Sequence, residues 1–204
     1  GLRSSAHTQL NKPSHPADRM LRTLGLGRTI LLRQHLFNQP VAQPRGGRRL
    51  AADLTGLKLW PCARPMLRHL QSVLPHVRPD GRSMRILELG SGCGLLGMAI
   101  AATTPHEVVL TDPGIDVNLS EEVSCNTLSL LQRNVDLNQQ ELGSRASVQQ
   151  LLWGDEADIA HLLERCGRFD LVIGSDVLYN PDVYHHLLRT ILAFCGSTVP
   201  AILG

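Results

Sequence analysis

Residues 85–97 read RILELGSGCGLLG, and this stretch decides the fold. Ile86, Leu87 and Leu89 make a short apolar run broken by one acid, Glu88, and the run stops at Gly90-Ser91-Gly92-Cys93-Gly94. A run of this length ending in glycines reads as a buried strand followed by a turn that side chains would obstruct. Residues 95–102 are apolar helix formers, so the turn delivers the chain into a helix whose first N–H groups face the space above the strand. This is the geometry of a nucleotide-type site in a doubly wound sheet.

Strand and helix signals alternate on both sides of it. Downstream, 107–111 (EVVLT) reads as a second strand ending at Asp112, and 113–126 as a long polar loop carrying Asp116, Glu121 and Glu122. Leu128, Leu131, Val135 and Leu137 then mark an amphipathic helix. A third strand at 147–152 is followed by Trp153-Gly154-Asp155, with Asp155 placed to cap a helix at 156–165. Residues 169–174 (FDLVIG) form a fourth strand that ends in Ser175-Asp176-Val177-Leu178-Tyr179. A helix at 182–194 follows, and 199–204 begins another strand. Upstream, 61–73 reads as a helix with Met66, Leu67, Leu70 and Val73 on one face, 57–60 as a short strand stopped by Pro61, 40–49 as a loop and 29–37 as a strand. Strands separated by helices imply parallel crossovers, hence a Rossmann-like, doubly wound, mostly parallel α/β sheet.

At 204 residues and 43% apolar, the chain holds the core of one domain, placed at 29–204. It starts without methionine and stops as a strand begins, so the expectation is a C-terminally incomplete domain, truncated before the last strands. Residues 1–50 carry nine Lys or Arg against the single acid Asp18, and the rest eleven against seventeen. Residues 1–28 therefore read as a basic, mostly disordered leader with at most one helical turn around Met20, Leu21 and Leu24. A basic arm can meet nucleic acid, but this one lacks the interleaved aromatics of a single-strand binder. Five cysteines at 62, 93, 125, 166 and 195 have no C-x-x-C spacing and suit a reducing compartment. No apolar run reaches the ~18 residues of a membrane span. The expectation is a soluble cytoplasmic chain, with the nucleus as the other compartment.

Ligands of such sheets lie across the carboxyl ends of the strands. Asp112, about 20 residues beyond the glycines, is placed to accept both ribose hydroxyls of an adenosine, and the glycine turn admits an anionic group at the helix N-terminus. Gly92-x-Gly94-x-x-Gly97 alone fits a dinucleotide. Glu88 before Gly90 argues instead for a ligand with an ammonium, met directly or through water, as in S-adenosylmethionine.

Taken together, ELGSGCGLLG, LTD, LLWGD and SDVLY, with LKLWPCA upstream, resemble the seven-strand S-adenosylmethionine-dependent methyltransferases, specifically the non-SET lysine methyltransferases of methyltransferase family 16, over residues 29–203. The resemblance implies a class I methyltransferase fold, S-adenosyl-L-methionine as cofactor, and a cofactor pocket lined by Trp60, Gly90, Ser91, Gly92, Asp112, Trp153 and Ser175. It makes Asp176-Val177-Leu178-Tyr179 the D-x-x-Y hallmark at the end of the fourth strand.

Methyl transfer to an amine needs the nitrogen neutral and aligned with the sulfonium methyl, not a nucleophile from the enzyme. A lysine ammonium, with an ordinary pKa near 10.4, must first lose a proton. Asp176 suits an acceptor that orients the nitrogen, and Tyr179, about one turn later on a helical backbone, suits a channel wall. The expectation is a protein-lysine N-methyltransferase. Histidine or a small-molecule amine as acceptor, and a catalytically silent binding module of the same fold, are the alternatives. No metal site is expected, since Cys93 reads as a small turn residue and His185-His186 as a solvated helix face.

Overall fold

Ile86, Leu87 and Leu89 are fully buried, and a strand apolar on both faces needs a covering layer on each side. The computed structural model describes residues 18–25, 28–35, 54–118, 124–195 and 198–204, and it supplies both layers. In chain order the strands are β1 (Asp18–Gly25), β2 (Arg28–His35), β3 (Arg85–Glu88), β4 (Glu107–Asp112), β5 (Asp116–Asn118), β6 (Ser124–Asn126), β7 (Ala146–Gln150), β8 (Leu171–Gly174) and β9 (Ala201–Leu203). The helices are α1 (Ala63–Val77), α2 (Leu95–Thr103), α3 (Thr127–Leu137), α4 (Gln139–Leu142), α5 (Glu156–Cys166) and α6 (Tyr184–Cys195).

Five strands form one sheet in the order β7-β4-β3-β8-β9, every neighbouring pair parallel. The chain winds outward from β3 through β4 to β7, then returns to the other side of β3 with β8 and continues to β9. The order reverses between β3 and β8, so their carboxyl ends flank the crevice where such sheets hold ligands. This is the Rossmann-like α/β fold that the sequence implies.

Alternation along the strands sorts the core into two layers. Ile86, Val108, Leu110, Leu171 and Ile173 face the layer containing Leu70, Met98 and Leu131. Leu87, Val109 and Val172 face the opposite layer with Leu162, Leu187 and Phe194. Within the first layer α2 is buried from Leu95 to Ala102 with no polar face, so a second cover is needed on its outer side. The β1–β2 hairpin provides it. Ile30 and Leu32 alternate inward into the same cluster, and β2 packs on α2 and α3.

Three expectations change here. Asp18–Gly25, assigned from sequence to the disordered leader, is a strand whose eight residues pair with β2; residues 1–17 lie outside the described residues. The strand expected at 57–60 is a 3-10 turn, Leu54–Leu57, leading into an irregular segment, because Leu57 is drawn down into a small cluster with Cys93, Val117 and Leu130. The loop at 113–126 contains the antiparallel pair β5–β6, which places Val117 in that same cluster; Glu121 and Glu122 lie outside the described residues.

The hairpin is anchored by one side chain. Asn138, buried at the end of α3, accepts from Leu31 N at 2.8 Å and donates from Nδ2 to Leu31 O at 2.7 Å, as a neighbouring strand would. Asn138→Ala should destabilise the chain by about 2 kcal/mol in urea denaturation, since two bonds go and the Leu31 backbone groups lose their partner. Amide exchange at Leu31 should accelerate in the same variant.

Candidate active site

The turn after β3 is held from beneath. Leu89 N bonds Ile173 O at 2.9 Å, so the chain leaves the sheet still paired to β8. Gly90, Gly92 and Gly94 then take positive φ. Glu88 is 2% exposed. Its Oε2 accepts from Ser91 Oγ at 2.8 Å and Gly97 N at 3.2 Å, and its backbone O accepts from Thr111 Oγ1 at 2.6 Å. Ser91 Oγ also accepts from Thr111 N at 3.1 Å, and Ser91 N donates to Thr111 O at 2.8 Å. The acid at 88 is thus an internal brace of the turn. Gly97 permits it, because a Cβ there would collide with Glu88 Oε2 and stand 2.9 Å from Leu110 Cγ. Burial pushes the Glu88 carboxyl up to about 7.

Asp112 ends β4 beside this turn, 4% exposed. Its Oδ2 accepts from Gly92 N at 3.1 Å and its Oδ1 from Thr127 Oγ1. A carboxylate at this strand end is an acceptor of the kind that a ribose diol requires. Trp153 closes the other side of the turn. A Cβ on Gly90 would meet its Cζ2 at 2.9 Å, so only glycine lets the indole lie on the backbone there. The Trp153 Nε1 donor is buried without a partner among the described residues. Gly154 N donates to Thr190 Oγ1 at 2.8 Å, and Asp155 caps α5 through Asp158 N at 2.9 Å, as its position predicts. The Cys93 thiol is driven up to about 12, chiefly by burial, and stays protonated.

Across the crevice, Ser175 stands half-buried at the end of β8 and Asp176 follows with φ 56°, the only non-glycine residue with positive φ among those described. Two carbonyl and amide contacts fix that backbone: Asp176 N donates to Gly204 O at 2.8 Å, and Gly204 N to Gly174 O at 3.0 Å. Oδ1 of Asp176 accepts from Cys62 N, just before α1, at 3.4 Å. Oδ2 is buried and without a partner among the described residues. Burial raises the Asp176 carboxyl above its ordinary range, against the backbone N–H groups of Cys62 and Ala63. Trp60, Asp176, Leu178, Tyr179 and Gly204 line a cavity of about 320 Å³. The backbone from 175 to 180 is not helical, so Tyr179 meets Asp176 in this cavity through the bend at Asp176 instead of the helical spacing expected.

The structure therefore joins Glu88, Ser91, Gly92 and Asp112 in one hydrogen-bonded group, sets Gly90 against Trp153, and brings Trp60, Asp176 and Tyr179 around one cavity. Sequence reasoning missed Thr111, Thr127, Cys62, Leu178 and Gly204. Leu178 lies inside the quoted SDVLY motif, and its half exposure follows from the same bend. Cys62 and Gly204 act through backbone atoms, which leave no side-chain signal.

A family model described as lysine methyltransferase matches residues 51–203. The chain belongs to this lysine methyltransferase family. It is 30% identical over 124 residues to protein N-lysine methyltransferase METTL21A of Mus musculus, covering 60% of this chain and 50% of that protein. It is 29% identical over 139 residues to EEF1A lysine methyltransferase 3 of Mus musculus, covering 68% and 50%. Calmodulin-lysine N-methyltransferase of Arabidopsis thaliana is 31% identical over 147 residues, covering 70% and 42%. The chain spans about half the length of the curated relatives it matches.

The cofactor of the lysine methyltransferase family is S-adenosyl-L-methionine. The residues present fit it. An adenosine brings ring nitrogens and a ribose diol, and the crevice offers the unpartnered Trp153 Nε1 and the Asp112 carboxylate. A sulfonium is a cation, and the ring of Trp60 already carries the Lys58 ammonium, 3.9 Å from its centroid.

The Glu88 brace has a pH signature. Its folded pKa of about 7 lies above the ordinary 4.5, so the fold holds a proton that the unfolded chain releases. That contribution to stability is complete below 4.5 and is lost as pH rises through 7. Glu88→Gln keeps an acceptor and removes the titration, so its unfolding free energy, followed by urea titration across this window, should lack the wild-type decline.

Proposed function

We propose that this chain is a protein-lysine N-methyltransferase that moves the methyl group of S-adenosyl-L-methionine to a lysine ε-amine of a protein substrate. The observation that carries the reading is the cavity shared by Trp60, Asp176 and Tyr179, because it sets an unpartnered carboxylate oxygen beside two aromatic residues at the carboxyl end of β8. When bound, the cofactor supplies an electrophilic methyl on a cationic sulfur.

The chain's own residues then have separable tasks. Glycine backbone at 90–94, braced by Glu88, admits the donor's polar tail, while Gly90, Ser91, Gly92, Asp112, Trp153 and Ser175 hold its adenosine and amino-acid ends. Trp60 and Tyr179 exclude water from the incoming amine, which favours its neutral form. Asp176 accepts a hydrogen bond from the substrate nitrogen and keeps the lone pair directed at the methyl carbon. A carboxylate raised by burial is also a better proton acceptor than an exposed one.

The curated relatives include enzymes named for EEF1A and for calmodulin, which supports a protein substrate. We propose the cytoplasm as the site of action, on the ground that all five cysteines are thiols. No helix among the described residues is long and apolar enough to cross a membrane.

Asp176→Asn is the decisive variant. Asn tolerates the left-handed backbone that Asp176 adopts and can still accept from Cys62 N, so the substitution isolates the charge. It should lower methyl transfer to lysine by about 10²-fold or more, while S-adenosylhomocysteine binding by calorimetry stays close to wild type. Full residual activity would remove the assigned role. Mass spectrometry of products formed in a cell extract with labelled cofactor identifies the acceptor, and label on histidine or on small amines would replace lysine in this reading.

A further inference from the structure

Lys58 is displayed on a fixed stem. Leu57 before it is fully buried, and Leu59 N after it donates to Gln34 Oε1 at 2.9 Å. Lys58 itself is exposed. Its ammonium lies over the Trp60 ring, 3.9 Å from the centroid, and Trp60 lines the cavity shared with Asp176 and Tyr179. The chain contains eighteen arginines but two lysines, Lys12 and Lys58, and Lys12 lies outside the described residues. The single lysine among the described residues therefore rests against the wall of the cavity assigned to an incoming lysine.

Resting on the methyltransferase reading, we propose that Lys58 is itself a methylation site, modified in cis by the cavity beside it. The four-carbon stem is flexible enough to swing the nitrogen from the face of Trp60 to the cavity rim. Lys58 is open to water, so its ammonium gives up a proton to solvent. The nitrogen lone pair then attacks the sulfonium methyl carbon of S-adenosyl-L-methionine. The N–C bond forms as the C–S bond breaks, the bonding pair stays on sulfur, and S-adenosylhomocysteine leaves. The methylated amine regains its positive charge by protonation, and it is larger and less hydrated than a primary ammonium. Aromatic faces prefer such cations, so the product returns to Trp60 and is retained there.

The test uses the chain with methyl-labelled S-adenosyl-L-methionine, followed by cleavage after arginine and mass spectrometry of peptide 50–68, because Pro65 protects the bond after Arg64. Label is expected on Lys58, at a rate per molecule that does not change on dilution, and Lys58→Arg should abolish it. Methylation of an added lysine protein without label on Lys58, or a rate that falls in proportion to dilution, overturns the proposal. S-adenosylhomocysteine calorimetry separates the two layers of the argument: binding without Lys58 label removes this proposal alone, and absence of binding removes the methyltransferase reading with it. A readout independent of turnover comes from reductive methylation with ¹³C-formaldehyde. The Lys58 methyl resonance should be displaced upfield of Lys12 by the indole ring current, and the displacement should vanish in Trp60→Leu. An undisplaced Lys58 signal overturns the geometry on which the proposal stands.

Discussion

A buried carboxylate beneath a glycine turn is the constraint on which the site depends. Glu88 sits at the last position of the central strand, where the turn leaves the sheet and several backbone N–H groups lose their strand partners. Two of its contacts reach across the turn, to Ser91 and to the first turn of α2 at Gly97. A carboxylate can collect such donors because each oxygen offers two acceptor directions. The cost is desolvation, visible in the upward shift of its titration to about 7. Asp112 adds to that cost as a second buried acid nearby, yet it holds Gly92 N from the opposite side. The turn is thus clamped between two acids.

The far wall of the crevice uses a carboxylate differently. Asp176 is held in a left-handed backbone by β9 through Gly204. One of its oxygens lies at the start of α1, the end of that helix where the dipole favours negative charge. This contact ties the segment containing Trp60 to the end of β8. The other oxygen, buried and unpartnered among the described residues, is held ready for a donor. Glu88 is spent on structure and Asp176 is only half spent.

Much of this was legible in the sequence, for identifiable reasons. The short apolar runs at 86–89, broken only by Glu88, and at 171–174 announced strands covered on both faces, and the chemistry of Gly90 to Gly94 announced the turn. Those signals are local, since an apolar run and a glycine cluster read the same way in any context. What failed was long-range. Met20, Leu21 and Leu24 carry a rhythm too weak to declare a strand, and β1 takes its order from eight pairings with β2. That hairpin exists because α2, apolar all round, would otherwise face water. Residues 57–60 have strand-like composition, but Leu57 is drawn into the cluster with Cys93 and Val117, and tertiary packing overrides propensity there. Glu88 stands out in the sequence as an acid beside the glycines, but its bonds to Ser91 and Gly97 are set by how the turn folds back over it and leave no sequence signal.

The placement of Asp176 and Tyr179 shows how far spacing arguments reach. The family resemblance pairs them as D-x-x-Y, and three residues apart they would share a face if the backbone were helical. The backbone is instead bent, and the bend is what turns both side chains toward one cavity with Trp60. A left-handed residue costs on the order of 1–2 kcal/mol for side chains that do not tolerate it, and Asp is among the few that do. The acid at this position therefore answers two demands at once: it permits the turn that brings Tyr179 inward, and in the proposed reaction it presents a charge to the amine. An alanine would fail the first and the second together, whereas asparagine fails only the second, so the difference between the two variants measures how much of the site's chemistry resides in the charge and how much in the shape it enforces.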